Sequence, residues 1–510
     1  MSKITVTPYN ETHVRVTCDD YGVEMELQEY FTFSVPGAKF TPKFKSGLWD
    51  GNIKLLNTRN KLLYTGLISL VHKFARSNGY EIDIARELNP TIKITRTEVS
   101  DYMHGLNLIG RGEPIQIRDY QIDAVYKALS NKRLILVSAT GSGKSLILYS
   151  IIRYCLDKEQ SIVLIVPTVS LVNQMLGDFK DYSTANGFDV DKHIHGLYSG
   201  KERIFNKPVT ISTWQTLASM HKSDTKNYLA LTANTDMLLA DEAHTLRAAV
   251  VSATIEGFVN TSHRIGTTGT LHDALCNKLV LIGLLGPAHE IISASELIAA
   301  GQAVPIDIKV LILKHPPEFC KMLKSMDYKE EISQIISNPA RNAFIANLAK
   351  SLSGNTLILY RFVANHGQIL YDLIKESVGD TRAVYFIHGG IEVEERDRIR
   401  LILETEKDSI IVATESLMAT GINIPSLENL IFACPGKSAI RIRQSIGRTL
   451  RLKEGKTHAT IYDIADDYLS SPKARNNITL NHLNDRLAIY VKEDFKYSIR
   501  RLELKYDYLG

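Results

Sequence analysis

Five consecutive residues, Gly141-Ser142-Gly143-Lys144-Ser145, have the types and spacing to hold a phosphate chain. Glycines let backbone N–H groups close on an anion, and a helix starting just after them turns its positive end to the same charge. The stretch lies in LILVSATGSGKS, where an apolar run enters the turn through Thr140 and a helix-like run, LILYSIIRYCL, leaves it. Lys144 would reach the β- and γ-phosphates of a nucleotide, and the Ser145 hydroxyl would ligate Mg²⁺. The strict form of this loop has Gly seven residues before Ser145, where this chain has Ser138. A second apolar run, MLLADEAH, ends in Asp241 and Glu242. Asp241 would hold Mg²⁺ through its water shell, and Glu242 would orient or deprotonate an attacking water. ATP and Mg²⁺ are therefore the expected cofactors. His244 would either bond across a cleft or pack.

Such residues need strands to carry them. From about residue 106 short apolar runs alternate with helical stretches: RLILVSA, SIVLIVP, PVTISTW, MLLADEAH and HRIGTTGT. A connecting stretch covers Gly286–Gln302, and the rhythm resumes in NTLILYRF, AVYFIHG, SIIVATE, NLIFAC and ATIYDIADD. That is the pattern of βαβ units, so the fold class expected is α/β, with two parallel-sheet lobes. We place lobe 1 at 106–290 and lobe 2 at 291–465. Residues 1–105 read as a small β-containing domain with one helix near Leu67–Ser77, and 466–510 as a helical, basic extension.

The whole chain has 510 residues and a net charge of only +4, so overall charge points to no partner. Its five cysteines stand singly, which fits a reducing compartment and no zinc or iron–sulfur site. The N-terminus has no apolar signal core, and no apolar run reaches the ~18 residues of a membrane span. A soluble, cytoplasmic protein with no membrane partner is expected. Between Phe31 and Tyr80 eight basic residues face one acid, with six aromatics interleaved. Lys43, Lys45 and Trp49 head the candidates there for binding a phosphate backbone; the bland reading is a solvated basic face over a small aromatic core.

The phosphate loop and Asp-Glu-Ala-His together resemble the superfamily 2 helicases, which use the relaxed loop. More segments then fall into order. Arg118-Asp119-Tyr120-Gln121 resembles the Q motif, implying that Arg118 and Gln121 bind the nucleotide, Gln121 at the adenine edge. Val166-Pro167-Thr168 with Leu171 and Gln174 resembles motif Ia, and Thr213-Trp214-Gln215-Thr216 motif Ic. Both imply nucleic-acid contacts; Trp214 reads equally well as core. Gly266-Thr267-Thr268-Gly269-Thr270 resembles motif III, implying that Thr268 and Thr270, with His244, couple the two sites. In the second lobe, Leu359-Tyr360-Arg361-Phe362 resembles motif IV, and His388-Gly389-Gly390 the loop that touches the backbone. Thr414 and Ala419-Thr420-Gly421 resemble motif V, implying that Thr414 and Thr420 contact nucleic acid and that Gly421 lies at the nucleotide. Arg443-Gln444-Ser445-Ile446-Gly447-Arg448-Thr449-Leu450-Arg451 resembles motif VI. On a helix Gln444, Arg448 and Arg451 would share one face and close on the γ-phosphate.

The Leu450-Arg451 ending looks more like DNA motors than RNA helicases. Phe40-x-Pro42-Lys43-Phe44-Lys45-x-Gly47-x-Trp49-Asp50-Gly51 resembles the N-terminal domain of the phage branch-migration helicases of the UvsW type. The resemblance implies an ATP-dependent DNA helicase that remodels branched DNA, with single-stranded and branched duplex DNA as partners and recombination or replication proteins nearby. In a phage the compartment would be the host cytoplasm. The alternatives are a duplex-DNA translocase subunit of a restriction or repair assembly, and an RNA helicase. The C-terminal segment from Lys473 would either cover the strand exit or dock as a helix on lobe two.

Overall fold

A computed structural model describes residues 2–35, 37–88, 92–201, 206–245, 249–271, 275–323, 326–415, 426–434, 436, 438–450, 452, 455–469 and 477–506. The chain divides into two compact units. Unit 1 comprises Met1–Ser138 and Ser142–Ile292; unit 2 comprises Ala139–Gly141 and Ser293–Gly510.

Unit 1 is built on a seven-stranded parallel sheet. In spatial order its strands are Ile194–Leu197, Val209–Thr213, Ile162–Val166, Met237–Ala240, His263–Thr268, Arg133–Ser138 and Ala288–Ile292. Inner strands such as IVLIV and MLLA are buried at every residue, because helices cover both faces. The outermost strand, Ala288–Ile292, falls inside the stretch read from sequence as a connection. Its first three residues are exposed, so the apolar run that marks an inner strand is absent.

The N-terminal portion adds a four-stranded sheet, ordered Leu62–Tyr64, His13–Cys18, Lys3–Pro8 and Glu81–Ile84. The helix expected near Leu67–Ser77 spans Ile68–Asn78, and a second one, Tyr21–Tyr30, starts at an Asp20 cap. Between them the chain makes an excursion through Thr32–Ser34 and Asn52–Lys54, which pair antiparallel.

This portion is fixed to the main sheet of unit 1. Arg133 and Arg264 lie opposite each other in neighbouring strands, at the ends away from the phosphate loop. The fully buried Arg264 guanidinium donates to the Thr12 hydroxyl at 2.7 Å and to the carbonyls of Thr261 and Phe258. Arg133 pairs with the Glu11 carboxylate at 2.9 Å, and Tyr64 donates to Glu256 at 2.5 Å. Gly66 approaches the helix Leu275–Leu285 so closely that a Cβ there would lie 1.9 Å from the Ile282 carbonyl oxygen. Leu279 of that helix joins the N-terminal core of Ile4, Val14, Leu27 and Phe31.

Unit 2 repeats the seven-stranded parallel plan: Val384–Ile387, Ile410–Thr414, Asn355–Tyr360, Leu427–Phe432, Ala459–Asp467, Ile306–Lys314 and Tyr497–Glu503. The C-terminal stretch supplies a helix, Ile478–Lys492, and then that last strand. The strand pairs with Ile308–Lys314 from the edge and is largely exposed, so charges at Arg500, Arg501 and Glu503 are tolerated. Among the described residues no helix is long and apolar enough to cross a membrane.

Candidate ATP site and nucleic-acid surface

The strand Arg133–Ser138 delivers the chain to the loop, and the helix Lys144–Leu156 starts at the lysine itself. Thr140 and Gly141 form the turn. Gly141 and Gly143 adopt φ of +91° and +83°, which side chains with a Cβ disfavour. At Gly143 a Cβ would also lie 2.5 Å from the Gln121 amide nitrogen. That amide donates to the Ser142 carbonyl at 3.0 Å, and its oxygen accepts from the Arg118 backbone N–H at 3.1 Å. Tyr120 donates to the same Ser142 carbonyl at 2.9 Å and accepts from the Arg118 guanidinium at 3.0 Å. In this structure Arg118 and Gln121 thus brace the phosphate loop. Tyr120, which has no role in the sequence-based expectation, is part of the same brace.

Asp241 and Glu242 follow the buried strand Met237–Ala240, whose neighbour His263–Thr268 places Thr267 to donate to Asp241 at 2.7 Å. Burial holds the Asp241 carboxyl above the usual carboxylate range, and Glu242 next to it adds to the effect; Lys144 and Thr267 partly offset them. A buried carboxylate so placed, with the half-buried Ser145 hydroxyl at the start of the loop helix, is a set of hard oxygen donors that suits Mg²⁺. Glu242 has φ of +47°, a left-handed conformation uncommon for a residue with a Cβ. Its carboxylate lies 3.7 Å from the Lys144 ammonium and 3.3 Å from the His244 ring. His244 in turn meets the Thr268 hydroxyl at 3.0 Å, and Thr268 donates to the Thr270 carbonyl at 2.8 Å. The three residues expected to couple the sites therefore form one hydrogen-bonded chain, whose His244 ring lies beside the Glu242 carboxylate.

The expected nucleic-acid contacts of unit 1 occupy the ends of two adjacent strands, with Val166 opposite Thr213. Thr168 and Thr213 each cap a helix, accepting from the N–H groups of Leu171 and Thr216 at 3.3 Å. Their hydroxyls are engaged in this way, so the helix N-termini themselves are the anion-attracting feature. Gln174 is exposed on the first of these helices. Trp214 packs against the core around Leu217, Leu238 and Phe258. Beside these ends lies a cavity of about 370 Å³ lined by Tyr198, Ser199, Gly200, Lys201, Gln215 and Thr216, among others. The motifs of the sequence do not include Tyr198-Ser199-Gly200-Lys201; a basic residue after a Ser-Gly turn at a strand end is the signal that could have found it. In the N-terminal excursion Lys43 and Lys45 are exposed on the short helix Pro42–Lys45. Trp49 is half-buried and donates its ring N–H to the Asn52 carbonyl at 2.8 Å, a structural use of its polar end.

In unit 2, Arg361, His388 and Thr414 lie at the same ends of three neighbouring strands. Arg361 is exposed and donates to the Tyr328 hydroxyl at 3.2 Å; His388 accepts from the Gly390 N–H at 3.1 Å beside exposed Gly389; Thr414 is buried. Thr420 and Gly421 lie outside the described residues. Gln444 is half-buried on the helix Ala439–Thr449, which also carries Arg448. The Arg448 side chain and Arg451 lie outside the described residues.

That helix is braced by the C-terminal one. Arg443 pairs with Glu493 at 2.6 Å. Buried Arg486 grips Asp463 and donates to the Gly436 carbonyl, just ahead of the helix, at 2.8 Å. Glu331 accepts from the N–H groups of Ile478 and Thr479 and so fixes the other end. Of the two arrangements open from the sequence, the docked helix is the one found. Replacing Glu493 with Ala should release Arg443 and lower kcat for ATP about ten-fold with KM held, since small misplacements cost rate. Steady-state kinetics reads this, and an unchanged kcat would mean that the brace does not position the helix.

Comparisons with known proteins place these features. Family models match in three places: "DNA helicase UvsW, N-terminal" over 3–85, "Type III restriction enzyme, res subunit" over 114–273, and "Helicase conserved C-terminal domain" over 340–453. The ATP-dependent DNA helicase UvsW of Enterobacteria phage T4 is 32% identical over 513 residues, spanning 98% of this chain and 100% of that protein. The chain belongs to the UvsW family of ATP-dependent DNA helicases. The crystal structure of T4 UvsW covers 99% of this chain and 100% of its own, with a TM-score of 0.52 and 31% identity. A more distant likeness, to the Type ISP restriction-modification enzyme LlaBIII bound to DNA, has a TM-score of 0.56 at 16% identity. It covers 84% of this chain and 34% of that one, and speaks for the fold alone.

Proposed function

We propose that this UvsW-family helicase spends ATP to unwind or branch-migrate branched DNA: four-way junctions, forks and R-loops. The observation that supports the reading is that unit 1 holds Lys144, Ser145, Asp241 and Glu242 together with the basic N-terminal portion. The phosphate loop and acids lie at one end of the sheet, and the basic N-terminal portion is bolted to the other through Arg133 and Arg264. Lys144 holds the β- and γ-phosphates, and Ser145 and Asp241 hold Mg²⁺, which neutralises charge on those phosphates when bound. Glu242 orients the attacking water. Arg448 and Arg451 supply positive charge to the γ-phosphate and Gln444 an amide hydrogen bond, Gly421 lies at the nucleotide, and Thr420 contacts the nucleic acid. Of the domain bounds read from the sequence, the N-terminal portion 1–105 is kept, the first lobe runs on to Ile292, and the C-terminal stretch from 466 is counted with the second lobe because its strand Tyr497–Glu503 completes that sheet.

DNA is gripped by the helix ends at Thr168 and Thr213, by Tyr198 and Lys201, and by Arg361, His388 and Thr414 in the second lobe. Lys43 and Lys45 each hold a further phosphate. Reversing both charges, Lys43→Glu with Lys45→Glu, should weaken junction binding and flatten the plot of log affinity against log salt by about 1.8, roughly 0.9 for each phosphate no longer neutralised. Binding titrations at several salt concentrations measure this. A wild-type slope would take the N-terminal lysines out of the DNA interface.

A further inference from the structure

Apolar side chains inserted at a base step unstack it, and the N-terminal excursion offers such side chains. It leaves the antiparallel pair Thr32–Ser34 and Asn52–Lys54, and a Val35-to-Gly51 backbone bond of 2.9 Å closes its base. Inside, the short helix Pro42–Lys45 is capped by Thr41 and continued by the Leu48 N–H, which donates to the Lys43 carbonyl at 3.0 Å. The Phe44 ring packs on Gly51, where a Cβ would come within 3.0 Å of it. Trp49 is tied to Asn52. The loop therefore has internal contacts of its own: Phe44 and buried Ala38 close on Gly51, and half-buried Trp49 is bonded to Asn52.

Phe40 and Leu48 are left out of that packing. They are 82% and 83% exposed, the two most exposed large apolar side chains among the described residues. A single exposed apolar residue is ordinary. Two on one built loop, flanked by exposed Lys39, Lys43 and Lys45, are a different matter. The one acid of the loop, Asp50, faces Lys54 at 3.7 Å. Apolar side chains amid positive charge complement the end of a duplex, where an unpaired base pair offers its flat face between two phosphate strands.

We infer that Phe40 and Leu48 form the strand-separating wedge, stacking on the terminal base pair at a DNA branch while the neighbouring lysines hold its phosphates. The inference rests on the DNA reading above and adds the residues that split the duplex. The seat of Arg264 on Thr12 and of Arg133 on Glu11 gives the wedge a fixed backing, so that DNA drawn by the motor is driven against it.

The test uses the full-length protein with Phe40→Ala and Leu48→Ala combined, on a fork carrying 2-aminopurine in its last base pair. Unwinding should fall about ten-fold while fork affinity and DNA-stimulated ATP hydrolysis stay within about two-fold, because stacking acts on the branch and not on the phosphates. The aminopurine fluorescence should rise on binding of the wild type and not of the double variant. Phe40→Trp should keep unwinding near the wild-type rate. Wild-type unwinding by the double variant, or equal losses of affinity and unwinding, would overturn the wedge. A wild-type salt slope for Lys43→Glu with Lys45→Glu would instead overturn the phosphate contacts, a result read separately from unwinding.

Discussion

Lys144→Ala is expected to abolish ATP hydrolysis, with kcat falling by at least about 10³ and junction unwinding lost with it. The lysine begins the loop helix, and its ammonium is the positive charge beside Glu242. With the phosphates bound, that charge would stabilise the transferring γ-phosphoryl group; without it the positive charge nearest Glu242 is lost. Lys144→Arg should fare almost as badly, since a planar fork does not replace a compact ammonium inside a glycine loop. DNA affinity without nucleotide should stay close to wild type, which separates a lost ATP site from a lost fold. Turnover measured with and without junction DNA decides it. Normal hydrolysis by Lys144→Ala would mean that the loop is not the phosphate site.

Glu242→Gln should give the opposite division: ATP binds but is not consumed. The amide keeps the shape of the side chain and removes its charge and its basicity. Removing general-base help costs about 10²–10⁴ in rate. Nucleotide affinity should hold or rise, because a negative charge next to the γ-phosphate is gone. The strained Glu242 backbone and the His244–Thr268–Thr270 chain should survive, so the variant should still pass nucleotide binding on to the DNA surface. Nucleotide binding and single-turnover hydrolysis measured side by side test this. Unchanged single-turnover hydrolysis would remove Glu242 as the residue that activates water.

What the sequence displayed was mostly what is local. The phosphate loop lies between a strand and a helix that are contiguous with it, so five residues and their flanks suffice. Inner strands such as IVLIV and NTLILY are buried on both faces and announce themselves as apolar runs. Edge strands need no such run, which is why Ala288–Ile292 and Tyr497–Glu503 read as a connection and as helix. Roles set by distant partners were hidden as well. Nothing near Arg264 reveals that it meets Thr12, 252 residues away. Gln121 and Tyr120 reach Ser142 only because the helix they begin packs beside the loop helix. Trp49 reads as a DNA-binding residue because aromatic residues in a basic stretch suggest one; its ring N–H is bonded inside the loop, and exposed Phe40 and Leu48 are the better candidates.

The most direct test of branched-DNA remodelling is ATP hydrolysis on a matched panel: single-stranded DNA, duplex DNA, a four-way DNA junction and single-stranded RNA, with junction resolution followed in the same samples. The expected result is strongest stimulation by the junction, with ATP-dependent resolution of it. Stimulation by RNA alone, or by duplex DNA with no strand separation, would contradict the proposal and point to an RNA helicase or a duplex translocase.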